Sequence, residues 1–132
     1  MDRLRQRLSI ARKASTALDQ VLHEPKSPIV RDASIQRFEF TFEAVWKAAQ
    51  LYLATVESLE SGSPKSTIRA CRQVGLLEDE QSRTALRMAD DRNLTVHTYN
   101  EDLAEEIYHR ILTYAPLMDR WIEARRKRVP TD

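Results

Sequence analysis

The longest uninterrupted pattern in the sequence is a helical repeat of apolar residues between about residues 30 and 58. The apolar positions recur three or four residues apart and therefore lie on one face of an α-helix: Ile35, Phe38, Phe42, Val45, Ala49 and Val56. Trp46 and Leu53 widen this stripe. So wide a stripe indicates a helix that contacts more than one neighbouring element.

The composition favours helices in the rest of the chain as well. The 132 residues include only two glycines, 31% are charged, and long β-branched runs are missing. We expect one domain over residues 1–132, with further helices at about 2–22 and 64–74, from 78 or 79 to between 96 and 99, and from about 101 onward. Short loops make neighbouring helices antiparallel. The predicted fold is all-α, an antiparallel up-and-down four-helix bundle with one extra short helix.

Local residues mark where these helices begin and end. Gly62 suits the C-terminal turn of the second helix, Ser63 an N-cap and Pro64 the first helical position of the short helix. Pro116 lies inside the last apolar stripe, so we expect a kink or a break near residues 112–115. Cys71 lies in a helical pattern and is expected to fill the core, since a single cysteine excludes an intramolecular disulfide.

The first residues are too highly charged for a signal peptide, and no apolar run reaches membrane-spanning length. We therefore expect no membrane association and a cytoplasmic location. The net charge of +1 gives no general argument for nucleic acid binding. Basic residues nevertheless crowd both ends of the chain: Arg3, Arg5, Arg7, Arg12 and Lys13, then Arg120, Arg125, Arg126, Lys127 and Arg128. They form a phosphate-binding patch if the ends meet, or the last cluster simply complements a helix dipole.

Two carboxylates on the second helix are also candidates for chemistry. Glu39 and Glu43 are four residues apart and share one face. Such a pair can serve in acid–base catalysis or bind a metal. Alternatively, the two are solvated or pair with an arginine of an adjoining helix. No metal-ligand spacing accompanies them, so we predict neither a metal site nor a cofactor.

The residues that most suggest chemistry stand at the junction of the last two long helices: Arg92, His97 and Tyr99. This spacing resembles the R-x4-H-x-Y motif of HEPN-domain proteins. Further segments resemble one branch of these proteins, the HepT-type toxins, which are also called nucleotidyltransferase substrate-binding proteins. The segments fall in the order expected for that branch: residues 34–43 and 45–47, Ser63-Pro64, residues 75–77 and residues 91–101. The resemblance covers about residues 30–112. This chain departs from the family pattern in two places: residues 82–86 lack an aromatic residue that the family leads one to expect, and Pro116 is also unexpected.

The junction residues suffice for metal-free RNA cleavage. Arg92 is permanently charged and suits the stabilisation of phosphate charge, whereas the imidazole of His97 can take or give a proton and so move that of a ribose 2′-OH. Asn93 could hold substrate, orient Arg92 or make a helix-end hydrogen bond. Five residues on a continuous helix put Arg92 and His97 about 140° apart. Either the helix unwinds before His97, or both residues line a cleft between two copies.

The family resemblance implies the second arrangement, a composite site in a homodimer that cleaves RNA. It also implies that a partner nucleotidyltransferase, acting as antitoxin, transfers AMP from ATP onto Tyr99 and so blocks the site. Without the resemblance, Tyr99 would be read as a half-buried ring that anchors the junction.

Three functional interpretations remain open at this point. The first is the toxin ribonuclease of a type II toxin–antitoxin pair. The second is a non-catalytic nucleotide- or substrate-binding subunit of a minimal nucleotidyltransferase, and the third is a purely structural helical bundle. The RNA target cannot be read from the sequence.

Overall fold

The computed structural model describes residues 1–129, so the last three residues of the predicted domain lie outside the described part. That part consists of five α-helices, with a 3₁₀ turn (Thr95–His97) between the last two. The helices are α1 (Asp2–Leu22), α2 (Pro28–Val56), α3 (Pro64–Gln73), α4 (Asp79–Leu94) and α5 (Glu101–Arg128). No strand occurs within residues 1–129. The prediction of an all-α fold is confirmed.

The four long helices alternate in direction along the chain, with α3 inserted between α2 and α4. Side-chain hydrogen bonds fix the antiparallel pair α1–α2: Arg37 Nη1 donates to the Ala17 carbonyl at 2.7 Å, and Thr41 Oγ1 donates to the Ala14 carbonyl at 3.1 Å. A salt bridge from Arg12 to Glu123 at 3.2 Å and a hydrogen bond from the Ser15 hydroxyl to Asp119 tie the middle of α1 to the later part of α5. These contacts place α1 and α5 side by side in opposite directions.

Helix α2 lies at the centre of the core and contacts each of the other four helices. Five of the six residues of its predicted stripe are buried, and only Val56 remains partly exposed. The Phe38 ring stacks on Tyr114 of α5 with 5.8 Å between ring centroids. Because a buried phenylalanine contributes about 2–3 kcal/mol, this stripe is a major source of stability, and it positions the neighbouring helices.

Most of the predicted helix ends are correct because local residues determine them. Ser63 caps α3 and accepts a hydrogen bond from the Ser66 N–H, and Pro64 is the first helical residue. Gly75 follows α3 with φ of 80°, a left-handed conformation that favours glycine. The role assigned to Gly62 is wrong: α2 ends at Val56, and it is Ser58, with φ of 57°, that adopts the left-handed turn.

A kink or a break was expected near residues 112–115, and the break does not occur: α5 continues through Pro116 from Glu101 to Arg128. Proline removes one backbone donor, whose acceptor would be the carbonyl of Leu112, four residues earlier. Pro116 and Leu112 both lie on the exposed side of the helix, where water can satisfy that carbonyl. Buried neighbours on the opposite side, such as Met118, hold the helix together.

Candidate functional site

The junction after α4 is formed by threonines that compete with the helical backbone for hydrogen bonds. Thr95 Oγ1 donates to the Arg92 carbonyl at 2.7 Å, and Thr98 Oγ1 donates to the Thr95 carbonyl at 2.8 Å. Such local bonds favour turns over continued helix. The α-helix therefore ends at Leu94, two residues before the predicted range, and a 3₁₀ turn carries the chain to His97. Asn100 then caps α5 by accepting a hydrogen bond from the Leu103 N–H at 3.1 Å.

Arg92 points from α4 towards α2 and is about three-quarters buried. Its Nη1 donates to Thr95 Oγ1 at 3.1 Å. Two carboxylates of α2 face the guanidinium: Glu39 at 3.7 Å from Nη1 and Glu43 at 3.8 Å from Nε. Both distances exceed hydrogen-bond length, and the buried Nε has no hydrogen-bond partner. The interpretation of Glu39 and Glu43 as partners of an arginine on an adjoining helix is confirmed.

His97 and Tyr99 lie on the solvent side of the same turn. Tyr99 is 83% exposed, so its ring does not anchor the junction as a half-buried side chain would. The His97 side chain is also exposed, and its ring lies edge-on to that of Tyr99 with 6.1 Å between centroids. Asn93 is exposed on the last turn of α4, and no hydrogen bond of its side chain is found within residues 1–129.

Arg92 and His97 do not meet within one copy of the chain. The α-helix does unwind before His97, which was the first of the two arrangements considered. However, Arg92 turns inward to α2 and His97 turns outward, and residues 1–129 contain no hydrogen bond or ion pair between the two. One copy thus presents an exposed imidazole and an exposed phenol near an arginine that is held by carboxylates.

The residue before Arg92 anchors this junction in a way that the sequence analysis missed. Asp91 is only 4% exposed and accepts two hydrogen bonds from Arg110 of α5, at 2.7 and 3.0 Å. Its carboxylate also accepts a hydrogen bond from the buried Tyr114 hydroxyl. Burial, and then the bond to Asp91, raises the pKa of Tyr114 to about 12. A signal was available, because Asp91 continues the buried spacing of Ala85 and Met88 along α4.

The basic clusters at the two ends of the chain do come together, but much of their charge is already neutralised. Arg12 and Arg126 both contact Glu123, at 3.2 and 2.5 Å. Arg125 is fully buried, donates to the Val45 carbonyl at 2.6 Å, and lies over the Trp121 ring. The predicted patch therefore contains fewer available cations than the sequence indicates.

Within the part of the chain that the structure describes, no three His, Cys, Asp or Glu side chains are arranged to hold a metal ion. Over the same residues, no helix combines the length and the apolar character needed to span a membrane.

A sequence model of one family, described as nucleotidyltransferase substrate binding protein like, matches residues 6–127. The chain belongs to this family. The resemblance to nucleotidyltransferase substrate-binding proteins that the sequence indicated is thereby confirmed. No curated protein sequence matches this member of the nucleotidyltransferase substrate binding protein family.

Solved structures of other proteins share its fold. A protein from Thermus thermophilus is 55% identical, with a TM-score of 0.85 over 88% of this chain and 98% of the other. A Haemophilus influenzae structure, described as revealing the fold of a substrate binding domain of a nucleotidyltransferase, is 21% identical with a TM-score of 0.73. The match covers 90% of this chain and 98% of the other. A structure described as a toxin–antitoxin with AMP-PNP is 16% identical with a TM-score of 0.76, over 95% and 98%. The latter two likenesses concern the fold alone.

Proposed function

We propose that this chain is the toxin component of a type II toxin–antitoxin pair and a metal-independent endoribonuclease. One observation carries the proposal: the turn after α4 exposes His97 and Tyr99 together, directly after the helical turn that bears Arg92. The exposed imidazole and the exposed phenol contribute little to the packing of a plain bundle. The toxin–antitoxin structures with the same fold support this reading.

The reaction is an internal transesterification of RNA. An imidazole removes the proton of a ribose 2′-OH, and the oxygen attacks the adjacent phosphorus. The bond from phosphorus to the 5′-oxygen breaks, and the leaving oxygen takes a proton from an imidazolium. Arg92 stabilises the negative charge that develops on the phosphoryl oxygens. The products are a 2′,3′-cyclic phosphate and a 5′-hydroxyl, and DNA is inert because it lacks the attacking hydroxyl.

Two copies of the chain supply the base and the acid. In a two-fold dimer the two junctions lie across one cleft, so that His97 of one copy takes a proton and the second His97 gives one. Exposed apolar side chains at the junction itself support such an interface: Val96 is 67% exposed and Leu94 is 38% exposed. Exposed apolar residues that lie together, rather than singly, mark sites of protein association.

The loose contacts of Arg92 suit a residue that must turn towards substrate. Its carboxylate partners lie beyond hydrogen-bond distance, and its Nε has an unused donor. A phosphate in the cleft offers shorter, bidentate hydrogen bonds to the guanidinium. Arg92 therefore exchanges a weak ion pair for a strong one when RNA binds. Asn93, exposed one residue further along the helix, holds the substrate strand or orients Arg92.

Tyr99 is the site at which a partner nucleotidyltransferase neutralises the toxin. Its phenolic oxygen attacks the α-phosphorus of ATP, pyrophosphate leaves and the phenol loses its proton. The 83% exposed side chain is accessible to the active site of another protein. The resulting AMP group, with its negative charge, stands beside His97 and blocks RNA both sterically and by charge repulsion.

The alternative is a non-catalytic subunit whose cleft binds a nucleotide or another substrate for a nucleotidyltransferase. The family description and the Haemophilus influenzae structure favour this reading. In this alternative Arg92 contacts an anion of the bound molecule, but His97 transfers no proton. The two readings therefore differ in what the removal of His97 does.

The test is cleavage of total RNA by the purified chain, confirmed by intact mass to carry no AMP, in the presence of a chelator. We expect cleavage with 2′,3′-cyclic phosphate ends, lost in His97→Ala and in Arg92→Ala. The matched controls are His109→Ala and Arg120→Ala, which remove exposed residues of α5. No cleavage by the unmodified chain would contradict the proposal and favour the binding subunit, whereas cleavage that persists in His97→Ala would contradict the role of His97.

The modification is tested separately, with ATP and the cognate nucleotidyltransferase. We expect the mass of the chain to rise by whole AMP units and cleavage to cease. Tyr99→Phe should remain unmodified and active. If Tyr99→Phe is modified as fully as the wild type, another residue is the target.

A further inference from the structure

A groove between α3 and α4 is lined by more positive than negative charge. Arg69 and Arg72 of α3 and Arg83 of α4 surround it, and Asp79 is its one carboxylate. Its volume is about 260 Å³, with Ser82 and Leu86 completing the lining. Since Asp79 supplies one negative charge against three guanidinium groups, the groove carries a net charge of +2. We call it the α3–α4 arginine groove.

Two of the three arginines have no partner that neutralises them. Asp79 is occupied by Arg72, whose Nε lies 2.5 Å from the carboxylate. Within residues 1–129, Arg69 and Arg83 form neither a hydrogen bond nor an ion pair, although the charge of Arg83 also acts on Asp79. Both side chains are exposed. Two unneutralised guanidinium groups on opposite walls of a groove are suited to phosphate.

The groove leads along α4 towards the junction. Arg83, Arg87 and Leu94 lie on one strip of the helix, and Leu94 is followed directly by the turn that exposes His97. Asp90 is the one acidic residue on this strip. It is paired with Lys65 of α3 at 2.6 Å, so its charge repels a polyanion only weakly. From Arg83 to Leu94 the helix rises about 16 Å, a span that a few nucleotides of a single strand can cover.

We infer that the α3–α4 arginine groove binds backbone phosphates of a single-stranded RNA whose scissile bond lies at the junction. This inference rests on the proposed ribonuclease function, because the junction provides the reason for an RNA to lie along α4. Arg69 and Arg83 contact phosphates, and Arg72 keeps the two helices together through Asp79. The contacts are to phosphate and therefore supply affinity without sequence preference.

The experiment measures binding separately from cleavage. A fluorescein-labelled single-stranded RNA of about 12 nucleotides, long enough to follow the groove and the junction, is titrated with the His97→Ala chain at several salt concentrations. Adding Arg69→Ala and Arg83→Ala should weaken binding by about tenfold and reduce the salt slope of log K by about 1.4, since each phosphate contact on a single strand contributes about 0.7. The matched control adds Lys13→Ala and Arg120→Ala, which remove two exposed residues of the terminal basic clusters on α1 and α5 and lower the net charge equally, so that it also measures what those clusters contribute.

The possible outcomes separate the two proposals. If the Arg69 and Arg83 substitutions weaken RNA binding but the wild-type chain does not cleave RNA, the phosphate-binding groove is supported and the ribonuclease function is contradicted. Cleavage with a KM that is unchanged by the two substitutions contradicts the groove alone. The groove inference is also overturned if the control pair weakens RNA binding equally, if the RNA does not bind, or if the two substitutions affect only binding of the nucleotidyltransferase.

Discussion

The anchor of the junction can be tested by removing the Asp91 carboxylate. Asp91→Ala deletes the acceptor of two hydrogen bonds from Arg110 and of one from the buried Tyr114 hydroxyl. Breaking a buried ion pair typically costs about 3–5 kcal/mol. Because the Arg110 side chain is one-third exposed and can be hydrated again, we expect the lower end, a loss of about 3 kcal/mol in the free energy of unfolding.

The assay is urea denaturation followed by circular dichroism, at one protein concentration because association shifts apparent stability. With an m-value of about 2 kcal/mol/M, the midpoint should fall by about 1.5 M. The neighbouring Asp90→Ala is the matched control, since Asp90 makes one ion pair on the surface, and it should cost less than about 1 kcal/mol. Equal losses in the two variants would refute the reasoning that burial and multiple bonds make Asp91 the anchor.

Three further predictions concern other parts of the fold. Burial and a neighbouring carboxyl raise the pKa of Asp19 from 3.8 to about 6, so the native state retains a proton that the unfolded state releases, and stability falls as pH rises through that window. Asp19→Asn should therefore gain about 1 kcal/mol at pH 7, after allowance for solvent screening, and nothing at about pH 4 in urea denaturation; an equal effect at both pH values would contradict this. Burial lowers the pKa of Arg125 to about 10, because desolvation destabilises the charged guanidinium. An apolar side chain of similar size should therefore replace it at little cost, whereas alanine leaves a cavity: in thermal denaturation, Arg125→Met should lie within about 1 kcal/mol of the wild type and Arg125→Ala should be about 3 kcal/mol less stable. Equal losses in the two variants would contradict this prediction. Gly75→Ala should cost about 1 kcal/mol in urea denaturation because φ is 80° there, and Gly62→Ala almost nothing; similar losses at both glycines would contradict the account.

The sequence predicted those features of the fold that depend on neighbouring residues. The bounds of α1, the cap at Ser63 and the buried stripe of α2 follow from helical spacing and local hydrogen bonding. The end of α2 was placed wrongly because Ser58 adopts a conformation for which glycine is the usual choice.

The features that the sequence did not reveal depend on residues far apart in the chain. Asp91 meets Arg110 and Tyr114, which are 19 and 23 residues further along. Arg125 lies in a run of basic residues that is typical of an exposed tail, yet its donor reaches the Val45 carbonyl across 80 residues. Likewise, the spacing within the motif said nothing of where Arg92 points, because the carboxylates that it faces, Glu39 and Glu43, lie on α2.

The central claim is that two copies of the junction form one ribonuclease site, and a subunit-mixing experiment tests it most directly. Wild-type and His97→Ala chains are unfolded, mixed in different ratios at constant total concentration and refolded, and the initial rate of RNA cleavage is measured. If one site needs His97 from both copies, the rate falls with the square of the wild-type fraction, to about one quarter in an equal mixture. A rate that falls in direct proportion to the wild-type fraction, to about one half, or a wild-type chain that does not cleave RNA, would contradict the account.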